Sequence, residues 1–294
     1  MKNRIEKVRR VGLAANSAKP VSRALVRKAA QLVARSGREV FCDAPTAELA
    51  GLRCGQFPDT RTLARHVDLL LVFGGDGTML RVARDTAGVA PLILGVKVGG
   101  LGFLTGVQND ELPRALARIW EGGFSIDTRS LIEARLETRP EVPTQVALND
   151  MVIGRGDVFR LIDLSVTVDE ELLTEYRCDG MIISSPTGST AYALAAGGPI
   201  VSPRARVLML TPICPHTLSN RPIIVDSAAS VRVTVLSRTV QTILTADGQV
   251  QVPLQPGDVV RISQSRHCIR LLRLEGGAFF TTLRRKLNWS GSNV

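Results

Sequence analysis

A glycine-rich turn with one carboxylate is the clearest chemical signal in the sequence. Gly74-Gly75-Asp76-Gly77-Thr78 follows the apolar run Val67–Phe73 and opens a segment with helical periodicity. Glycines let a backbone approach a ligand closely and adopt positive φ angles. The free N–H groups at a helix start favour an anion such as phosphate, and Asp76 can reach a substrate hydroxyl. The segment therefore indicates a ligand-binding turn, with an ordinary Asp-Gly turn as the alternative.

Two further polar segments lie in the second half of the chain. Asn149-Asp150 stands between two short apolar runs, and this pair either binds ribose hydroxyls or marks a bulge or a strand end. Ser184–Tyr192 contains five Ser and Thr hydroxyls and leads into a predicted short helix. The start of that helix either faces a phosphate or is simply capped by Ser189 or Thr190.

The three segments together predict a phosphotransferase that acts on a nucleotide or a polyol without a P-loop. Arg177, a cation suited to phosphate, and Asp179, a carboxylate, lie just before the third segment. Because the first segment and the other two fall in different predicted domains, we expect the site in a cleft between domains.

Composition excludes several classes of protein. The chain has 294 residues, of which 45% are hydrophobic and 22% charged, as is typical of a globular protein. No apolar run approaches the ~18–20 residues of a membrane helix, and we expect no secretory signal. Five scattered cysteines without a CxxC spacing favour a reducing cytoplasm over a disulfide framework or a zinc site. Three histidines leave little material for a histidine metal cage or a Ser-His-Asp hydrolase.

The positive charge is concentrated near one end of the chain. The formal net charge is +10, and residues 1–40 hold 11 basic and two acidic side chains. Nucleic-acid binding by this segment is one alternative function. Against it, basic residues there lie on the polar side of a predicted helix, where charges are usually only solvated. Aromatic residues for base stacking make up only 4% of the chain. We therefore expect neither a nucleic-acid nor a membrane partner.

The first third of the chain alternates between strand and helix patterns. Residues 43–66 form a weaker helix-and-loop region between the clearer elements. Strands are predicted at 8–15, 39–42, 67–73 and 91–96, and helices at 20–36, 78–87 and 109–120. Such alternation predicts an α/β domain in which helices cover both faces of a parallel sheet.

Short strands dominate after residue 126. One helix interrupts them, at Thr190–Ala196, and Asp247-Gly248 predicts a hairpin between two of them. Strands are predicted at 131–136, 145–153, 161–168, 180–184, 223–225, 230–236, 242–246, 249–253, 258–263 and 268–274. The second domain is therefore predicted to be mainly β.

The order of these motifs resembles the NAD kinase family, whose members make NADP from NAD and a nucleoside triphosphate. The resemblance extends from about Val67 to Trp289. The Gly-Gly-Asp-Gly-Thr turn alone is weak evidence for this family, because diacylglycerol and sphingosine kinases share it. The run Ser-Pro-Thr-Gly-Ser-Thr-Ala-Tyr, in this order with the others, is specific. The motifs concerned are Gly74–Thr78, Leu101–Thr105, Asn149-Asp150, Asp179-Gly180, Ser184–Tyr192, Gly197–Pro199, Pro215–Ser219, Arg221-Pro222 and Asp247–Gln249.

The resemblance implies roles for individual residues. Asp76 is implied to be the catalytic carboxylate, which contacts the adenosine 2′-hydroxyl. Asn149 and Asp150 resemble the pair that holds the sugar and adenine side, where the family often has Glu at the second place. Lys97 replaces an asparagine that family members commonly carry. The other implied contacts to the dinucleotide are Gly77, Arg81, Arg160, Arg177, Asp179, Thr190, Ala191, Tyr192, Ala193, Leu194, Ala195 and Gln249.

The family architecture implies a division of the chain into three parts. Residues 1–127 would form an α/β doubly wound domain, residues 128–274 a mainly-β, sandwich-like domain that binds the dinucleotide, and residues 275–294 a segment that packs back on the first domain. The implied substrates are ATP and NAD, with Mg²⁺ or another divalent cation bridging the donor phosphates. The metal ligands are unknown. The implied protein is a cytoplasmic homo-oligomer, either a dimer or a tetramer.

A lipid or sphingoid-base kinase is the main alternative, because it shares the Gly-Gly-Asp-Gly-Thr turn. Such an enzyme needs an apolar pocket for an acyl chain in its β domain. Asp247-Gly248-Gln249 and Thr190–Tyr192 are polar and fit a dinucleotide better. The sequence therefore favours NAD over a lipid as the acceptor.

Overall fold

A computed structural model describes residues 8–16, 22–99, 102–156, 160–274 and 279–289. These residues group into two compact units. Unit 1 comprises Met1–Thr128 and Ile269–Val294, and unit 2 comprises Arg129–Cys268. The N-terminal arm before residue 8, the start of the helix predicted from residue 20, and Leu101 of the family motif lie outside the described residues.

Unit 1 contains a parallel sheet whose strand order differs from the chain order. Its strands are β1 (Arg10–Ala15), β2 (Glu39–Asp43), β3 (Gly55–Phe57), β4 (Leu69–Gly74) and β5 (Leu92–Lys97). They lie in the order β3-β2-β1-β4-β5, and every neighbouring pair is parallel. The order reverses between β1 and β4, which is the place where ligands bind in doubly wound sheets. The predicted doubly wound α/β domain is confirmed.

The helices of unit 1 are amphipathic and cover this sheet. They are α1 (Ser22–Arg35), α2 (Ala44–Ala50), α3 (Thr60–His66), α4 (Asp76–Asp85) and α5 (Leu112–Trp120). All six residues of β4 are buried, and α1 places Leu25, Val26 and Val33 in the same core. α2 and α3 lie in the region predicted only weakly. Each begins with an aspartate, Asp43 or Asp59, whose side chain accepts a backbone N–H of the first turn.

A disulfide joins Cys42 to Cys54 in unit 1, whereas the sequence predicted none. Cys42 lies in β2 and Cys54 directly precedes β3. The two strands are parallel neighbours, with Phe41 opposite Gly55, so the pair comes within a Cα–Cα distance of 6.9 Å. The spacing of 12 residues carries no signal of this pairing, because the register of β2 and β3 creates it.

Unit 2 is built from antiparallel strands that share one hydrophobic core. One sheet has the strand order β13-β12-β11-β8-β15-β16. A second set of paired strands consists of β10, β9, β14, β17, β6 and β7. The ranges are β6 (Ser125–Leu136), β7 (Gln145–Ala147), β8 (Asp150–Arg155), β9 (Ile162–Val168), β10 (Glu171–Cys178), β11 (Gly180–Ser184), β12 (Val207–Ile213), β13 (Ile223–Asp226), β14 (Val231–Val235), β15 (Thr242–Ala246), β16 (Val250–Leu254) and β17 (Val259–Arg273). The predicted mainly-β, sandwich-like domain is confirmed.

Several strands of unit 2 differ from the predicted ones. The predicted strand 145–153 is broken at Leu148-Asn149, which separates β7 from β8. Two predicted strands near the end merge into β17, whose residues Val259–Ile262 pair with β14 and whose residues Arg270 and Leu271 pair with β5. β10 and β12 were not predicted from the sequence. β12 contains Pro212, and a proline normally argues against a strand.

Short helical segments complete the described structure. A 3₁₀ turn at Thr187–Thr190 precedes α6 (Tyr192–Ala195) in unit 2, and α7 (Phe279–Lys286) belongs to unit 1. None of the helices in the described ranges has the length and apolar character needed to cross a bilayer.

Candidate functional site

Asp76 is the first residue of α4 and lies one residue, Gly75, beyond the carboxyl end of β4. Its carboxylate is fixed by two backbone donors, since Phe103 N–H donates to Oδ2 at 2.9 Å and Leu104 N–H donates to Oδ1 at 3.1 Å. Asp76 itself is half-buried, and Gly77 beside it is exposed. The turn therefore presents an oriented carboxylate that solvent or a ligand can still reach.

The glycines around Asp76 differ in how much space a side chain would find at their positions. A Cβ on Gly74 would collide with the Thr78 side chain, and a Cβ on Gly102 would overlap the carboxylate of Asp76. A Cβ on Gly75 would meet nothing within 4 Å. Gly74 and Gly102 are thus required by packing, whereas the space above Gly75 is open to a ligand.

Arg81 lies on α4, near the point where the strand order of unit 1 reverses. Its guanidinium pairs with Asp85 at 3.1 Å and donates to the hydroxyl of Thr60 at 3.3 Å and to the carbonyl of Ala15, at the end of β1, at 3.5 Å. Burial raises the pKa of Asp85, although the charge of Arg81 opposes this. These contacts hold Arg81 at the end of β1, in the same unit as Asp76.

Asn149 and Asp150 are held by a residue that the sequence placed in a hairpin turn and in a polar motif but to which it gave no role of its own. The carboxylate of Asp247 accepts the backbone N–H groups of Leu148 at 3.1 Å, Asn149 at 2.8 Å and Asp150 at 3.4 Å. The predicted hairpin is confirmed, because β15 and β16 pair across Asp247-Gly248. Asp247 closes that hairpin and holds the Asn149-Asp150 backbone as well.

Asp150 is a buried carboxyl, only 4% exposed. Burial, and secondarily the negative charge of Asp247, raises the pKa of Asp150 to about 7. An aspartate of this kind exchanges its proton near neutral pH, and buried carboxyls with shifted pKa values are frequent at functional sites.

The hydroxyl-rich segment packs directly on Asn149. Ser185 N–H donates to the Asn149 carbonyl at 2.8 Å, and the Ser185 hydroxyl donates to the Leu148 carbonyl at 2.5 Å. A Cβ on Gly188 would overlap the Asn149 backbone, so only glycine fits there. Arg129, which the sequence analysis missed, is buried and donates to the Thr187 hydroxyl at 3.3 Å. Two of the three predicted polar segments therefore meet in unit 2.

The helix predicted at Thr190–Ala196 is shorter than expected. The backbone of Ala191 (φ −105°, ψ −132°) separates the 3₁₀ turn from α6, which has only four residues. The predicted cap by Ser189 or Thr190 is wrong, because no side chain caps α6. The Ser189 hydroxyl donates to the Pro186 carbonyl at 2.7 Å and bonds the backbone of Val201, and the Thr190 hydroxyl donates to the Thr187 carbonyl at 3.4 Å. Ser189 therefore fastens the segment internally and does not cap a helix.

Asp179 and Tyr192 line one cavity of unit 2, which lies on the six-stranded sheet and has a volume of about 580 Å³. Asp179 pairs there with Arg155 at 2.8 Å, and Tyr192 is 49% exposed. Arg155 and Gln251 also line this cavity, although neither was predicted. A cavity of this size is within the range of small-molecule sites, about 300–1,000 Å³.

The remaining predicted contacts lie outside that cavity. Arg177 projects from β10 with its side chain 69% exposed, 4.0 Å from Asp163. Arg160 and Gln249 are exposed, and Gln249 sits in the hairpin turn beside Asp247. The expected cleft between domains stays a prediction.

Comparison with known protein families decides the classification. The model of the ATP-NAD kinase N-terminal domain matches residues 11–124, and that of the ATP-NAD kinase C-terminal domain matches residues 148–274. The chain belongs to the NAD kinase family. The family resemblance predicted from the sequence motifs is confirmed.

Relatives in this family match the chain over nearly its full length. An NAD kinase of Syntrophotalea carbinolica is 41% identical over 283 residues, which cover 96% of this chain and 99% of that protein. An NAD kinase of Heliobacterium modesticaldum is 42% identical over 278 residues, which cover 94% and 98%.

Solved structures of the family share the fold. Yeast NADH kinase complexed with NADH superposes with a TM-score of 0.86 at 25% identity, covering 98% of this chain and 90% of that one. An NAD kinase from Archaeoglobus fulgidus in complex with ATP gives a TM-score of 0.76 at 24% identity, covering 96% and 100%. Because the chain belongs to the NAD kinase family, the alternative of a lipid or sphingoid-base kinase is not favoured.

Proposed function

We propose that the protein transfers a phosphoryl group from ATP to the 2′-hydroxyl of the adenosine ribose of NAD and so produces NADP. The chain is a member of a kinase family, and it matches NAD kinases over almost their whole length. The observation that carries the proposed chemistry is the Asp76 carboxylate, which two backbone N–H groups orient at the carboxyl end of β4.

Asp76 is suited to act on a hydroxyl. Each carboxylate oxygen has two acceptor positions, and the described contacts occupy one on each. A ribose hydroxyl can therefore donate to either oxygen while both backbone bonds persist. Phosphoryl transfer depends mainly on positioning and charge neutralisation. In our proposal Asp76 orients the 2′-hydroxyl and accepts its proton late in the transfer.

The residues proposed to bind the dinucleotide lie mainly in unit 2. Asn149 presents an amide beside the buried carboxyl of Asp150, and both are held by Asp247 through their backbone. Tyr192 and Asp179 face a cavity of sufficient size for part of a nucleotide. We propose that Thr190–Ala195, Arg160, Arg177 and Gln249 add contacts, together with Gly77 and Arg81 of unit 1.

The described residues contain no group of three or more His, Cys, Asp or Glu side chains that could hold a metal ion. Mg²⁺ usually keeps several waters and binds through one or two carboxylates together with substrate phosphates. A cation that arrives bound to the phosphates of ATP therefore does not need a ready-made group of three protein ligands. We propose a divalent cation of that kind, which neutralises charge on the transferred group.

We further propose a cytoplasmic homo-oligomer. Leu218 is 90% exposed, and Phe280 and Trp289 are exposed as well; large exposed apolar side chains are often covered at subunit interfaces. The cytoplasmic location rests on the scattered cysteines, none of which forms a CxxC pair; the Cys42–Cys54 disulfide argues against it. Light scattering of the purified protein measures the subunit number.

We expect the purified protein to convert NAD to NADP when ATP and Mg²⁺ are present. Mass spectrometry of the products identifies NADP, and EDTA should stop the reaction because the donor phosphates lose their cation. Incubation with diacylglycerol and sphingosine is the matched control. Phosphorylation of a lipid while NAD stays unchanged would contradict the proposed function.

A Gly102→Ala substitution tests whether the segment at 102–104 positions the carboxylate of Asp76. The added methyl group would overlap the carboxylate, so Asp76 must leave its two N–H donors. We expect a loss of stability of about 1–3 kcal/mol, the usual scale of overpacking, and kcat at least about tenfold lower, since small misplacements of reacting groups are costly. Urea unfolding and steady-state kinetics measure the two effects.

Gly75→Ala is the stability control for this substitution. Its methyl group would meet nothing within 4 Å, and its φ of −101° suits alanine. We expect its free energy of unfolding to stay within about 0.5 kcal/mol of the original protein. If Gly102→Ala also left stability and kcat unchanged, the segment at 102–104 would not be what positions Asp76.

A further inference from the structure

A largely buried ion pair lies at the end of β17, close to the segment that holds Asp76. The Nε atom of Arg273 lies 3.3 Å from Oδ2 of Asp127, and the two side chains are only 15% and 18% exposed. Both residues belong to unit 1, although they are 146 positions apart in the chain. Neither residue belongs to a motif recognised in the sequence.

The guanidinium of Arg273 also bonds the backbone beside Asp76. Its second nitrogen, Nη2, donates to the Phe103 carbonyl at 3.3 Å. That carbonyl and the Leu104 N–H belong to the same peptide group, and the Leu104 N–H donates to Oδ1 of Asp76 at 3.1 Å. A single peptide group therefore links the cation of Arg273 to the carboxylate of Asp76.

This link affects both the direction and the strength of the bond to Asp76. A peptide group is planar and rigid, so an arginine that fixes its carbonyl fixes the direction of its N–H as well. Hydrogen bonds in a chain polarise one another, and a bond from a cationic donor is stronger than a neutral one. Arg273 therefore orients the Leu104 N–H and makes it a better donor to Asp76.

The backbone of Phe103 and Leu104 has few other supports. Among the residues that the structure describes, no backbone–backbone hydrogen bond reaches either of them. Such bonds to β5 begin at Gly106, whose N–H donates to a carbonyl of that strand at 3.0 Å. Within the same described ranges, Asp76 and Arg273 are the side chains that bond the backbone of these two residues.

The Arg273–Asp127 pair is better explained by geometry than by stability. A buried ion pair adds little net stability, because the cost of removing both charges from water offsets their attraction. The contacts use two different nitrogens of the rigid guanidinium fork, one for Asp127 and one for the Phe103 carbonyl. Asp127 thus holds the guanidinium in place while its second nitrogen bonds the segment.

We propose that Arg273, held by Asp127, is a positioning residue for Asp76. It fixes the peptide group between residues 103 and 104, which in turn orients the carboxylate toward the 2′-hydroxyl. The inference rests on the proposed function, because it takes Asp76 as the group that receives the proton. In this role Arg273 contacts neither the hydroxyl nor the transferred phosphate. Its loss should therefore slow the transfer and leave substrate binding nearly unchanged.

Arg273→Met and Arg273→Lys form the first test. Methionine fills similar space without a donor, so we expect kcat for NADP formation to be about tenfold lower, because small misplacements of reacting groups are costly. The KM values for NAD and ATP should stay within about threefold. Lysine restores a charged donor without the fork, so its kcat should lie within about threefold of that of the original protein.

Arg38→Met is the matched control. Arg38 is a half-buried arginine of unit 1 that donates to the carbonyls of Val8 and Ser36 at 3.1 Å and lies over the Trp120 ring. It precedes the amino end of β2, at the edge of the parallel sheet opposite to Asp76. Its loss should lower the melting temperature and leave kcat within about twofold, which separates positioning from a general loss of stability.

Hydrogen exchange measures the same positioning without catalysis. The amides of Phe103 and Leu104 donate to Asp76, and a loosened segment exposes them to exchange. In peptides that contain these two residues, exchange should be several-fold faster in Arg273→Met than in the original protein. Lysine should restore most of the protection, and Arg38→Met should leave these peptides unchanged.

Asp127→Asn is the second variant, which keeps Arg273 but removes the charge that holds it. We expect kcat to be about threefold lower and exchange in the same peptides to be faster. Because the two residues act through one bond, the double variant should be no slower than Arg273→Met alone. If Arg273→Met does not fold, Asp127→Asn decides the question, and unchanged kcat and exchange in it would overturn the proposal.

Three other results would overturn the proposal: normal kcat in a folded Arg273→Met, an effect confined to the KM for ATP, or an equal loss of kcat in Arg38→Met. The second result would place Arg273 on the substrate. Normal NADP formation by Arg273→Met would leave the proposed function standing. An original protein that makes no NADP would contradict the proposed function, whereas the exchange of Phe103 and Leu104 would still decide whether Arg273 holds the segment.

Discussion

Asp76→Asn should lower kcat for NADP formation by about 10²-fold or more, the usual scale for a lost general base. Asparagine keeps the size of the side chain but cannot take the proton of the 2′-hydroxyl. It also offers one acceptor oxygen to the two backbone donors of Phe103 and Leu104, so a small loss of stability is expected. Steady-state kinetics and thermal unfolding measure both quantities.

The matched control for this substitution is Glu48→Gln, which neutralises an exposed carboxylate on α2. It should leave kcat and the melting temperature unchanged. The KM for NAD should change little in Asp76→Asn, because the lost interaction matters in the transition state. A folded Asp76→Asn variant with nearly normal kcat would remove Asp76 from the mechanism.

Asp150→Asn should stabilise the protein at alkaline pH. The pKa of Asp150 is raised to about 7 in the folded state, far above that of an exposed aspartate. The stabilisation that comes from keeping a proton on Asp150 is thus fully present below the unfolded-state pKa and is lost as the pH rises through about 7. Asparagine has no charge to bury, so its advantage over aspartate should grow by on the order of 2–3 kcal/mol between about pH 5 and pH 8.

Urea unfolding at several pH values measures this effect. Glu175→Gln, at an exposed position of β10 in the same unit, is the control and should show no such growth with pH. We expect Asp150→Asn to raise the KM for NAD, because Asp150 is proposed to bind a substrate hydroxyl; stability and function then conflict at this position. A variant that loses stability at pH 8 would show that the ionised carboxylate is favourable in the fold.

The sequence predicted those parts of the fold that local patterns specify. β4 is an unbroken apolar run between Asp68 and Gly75, and α1 has clear helical periodicity. The missed elements lack such patterns: β10 is rich in polar residues, β12 contains Pro212, and β3 has three residues. The Cys42–Cys54 bond depends on the register of β2 and β3, which no local pattern encodes.

The candidate site divides in the same way. Asp76 and Asn149-Asp150 were found because glycines or adjacent polar residues stand out against apolar strands. The donors that fix Asp76 come from residues 27 and 28 positions later, and Asp247 acts on Leu148 from 99 positions away. Arg129 contacts Thr187 from 58 positions away. Contacts at such separations depend on the tertiary fold, so one sequence cannot reveal them.

The identity of the phosphorylated hydroxyl tests the central claim most directly. The product of NAD, ATP and Mg²⁺ can be purified and its phosphorus-proton couplings measured by NMR. We expect one new phosphate, on the 2′-oxygen of the adenosine ribose, and about a hundredth or less of this product from Asp76→Asn in the same time. A phosphate on the 3′-oxygen or on the nicotinamide ribose, or equal product from Asp76→Asn, would contradict it.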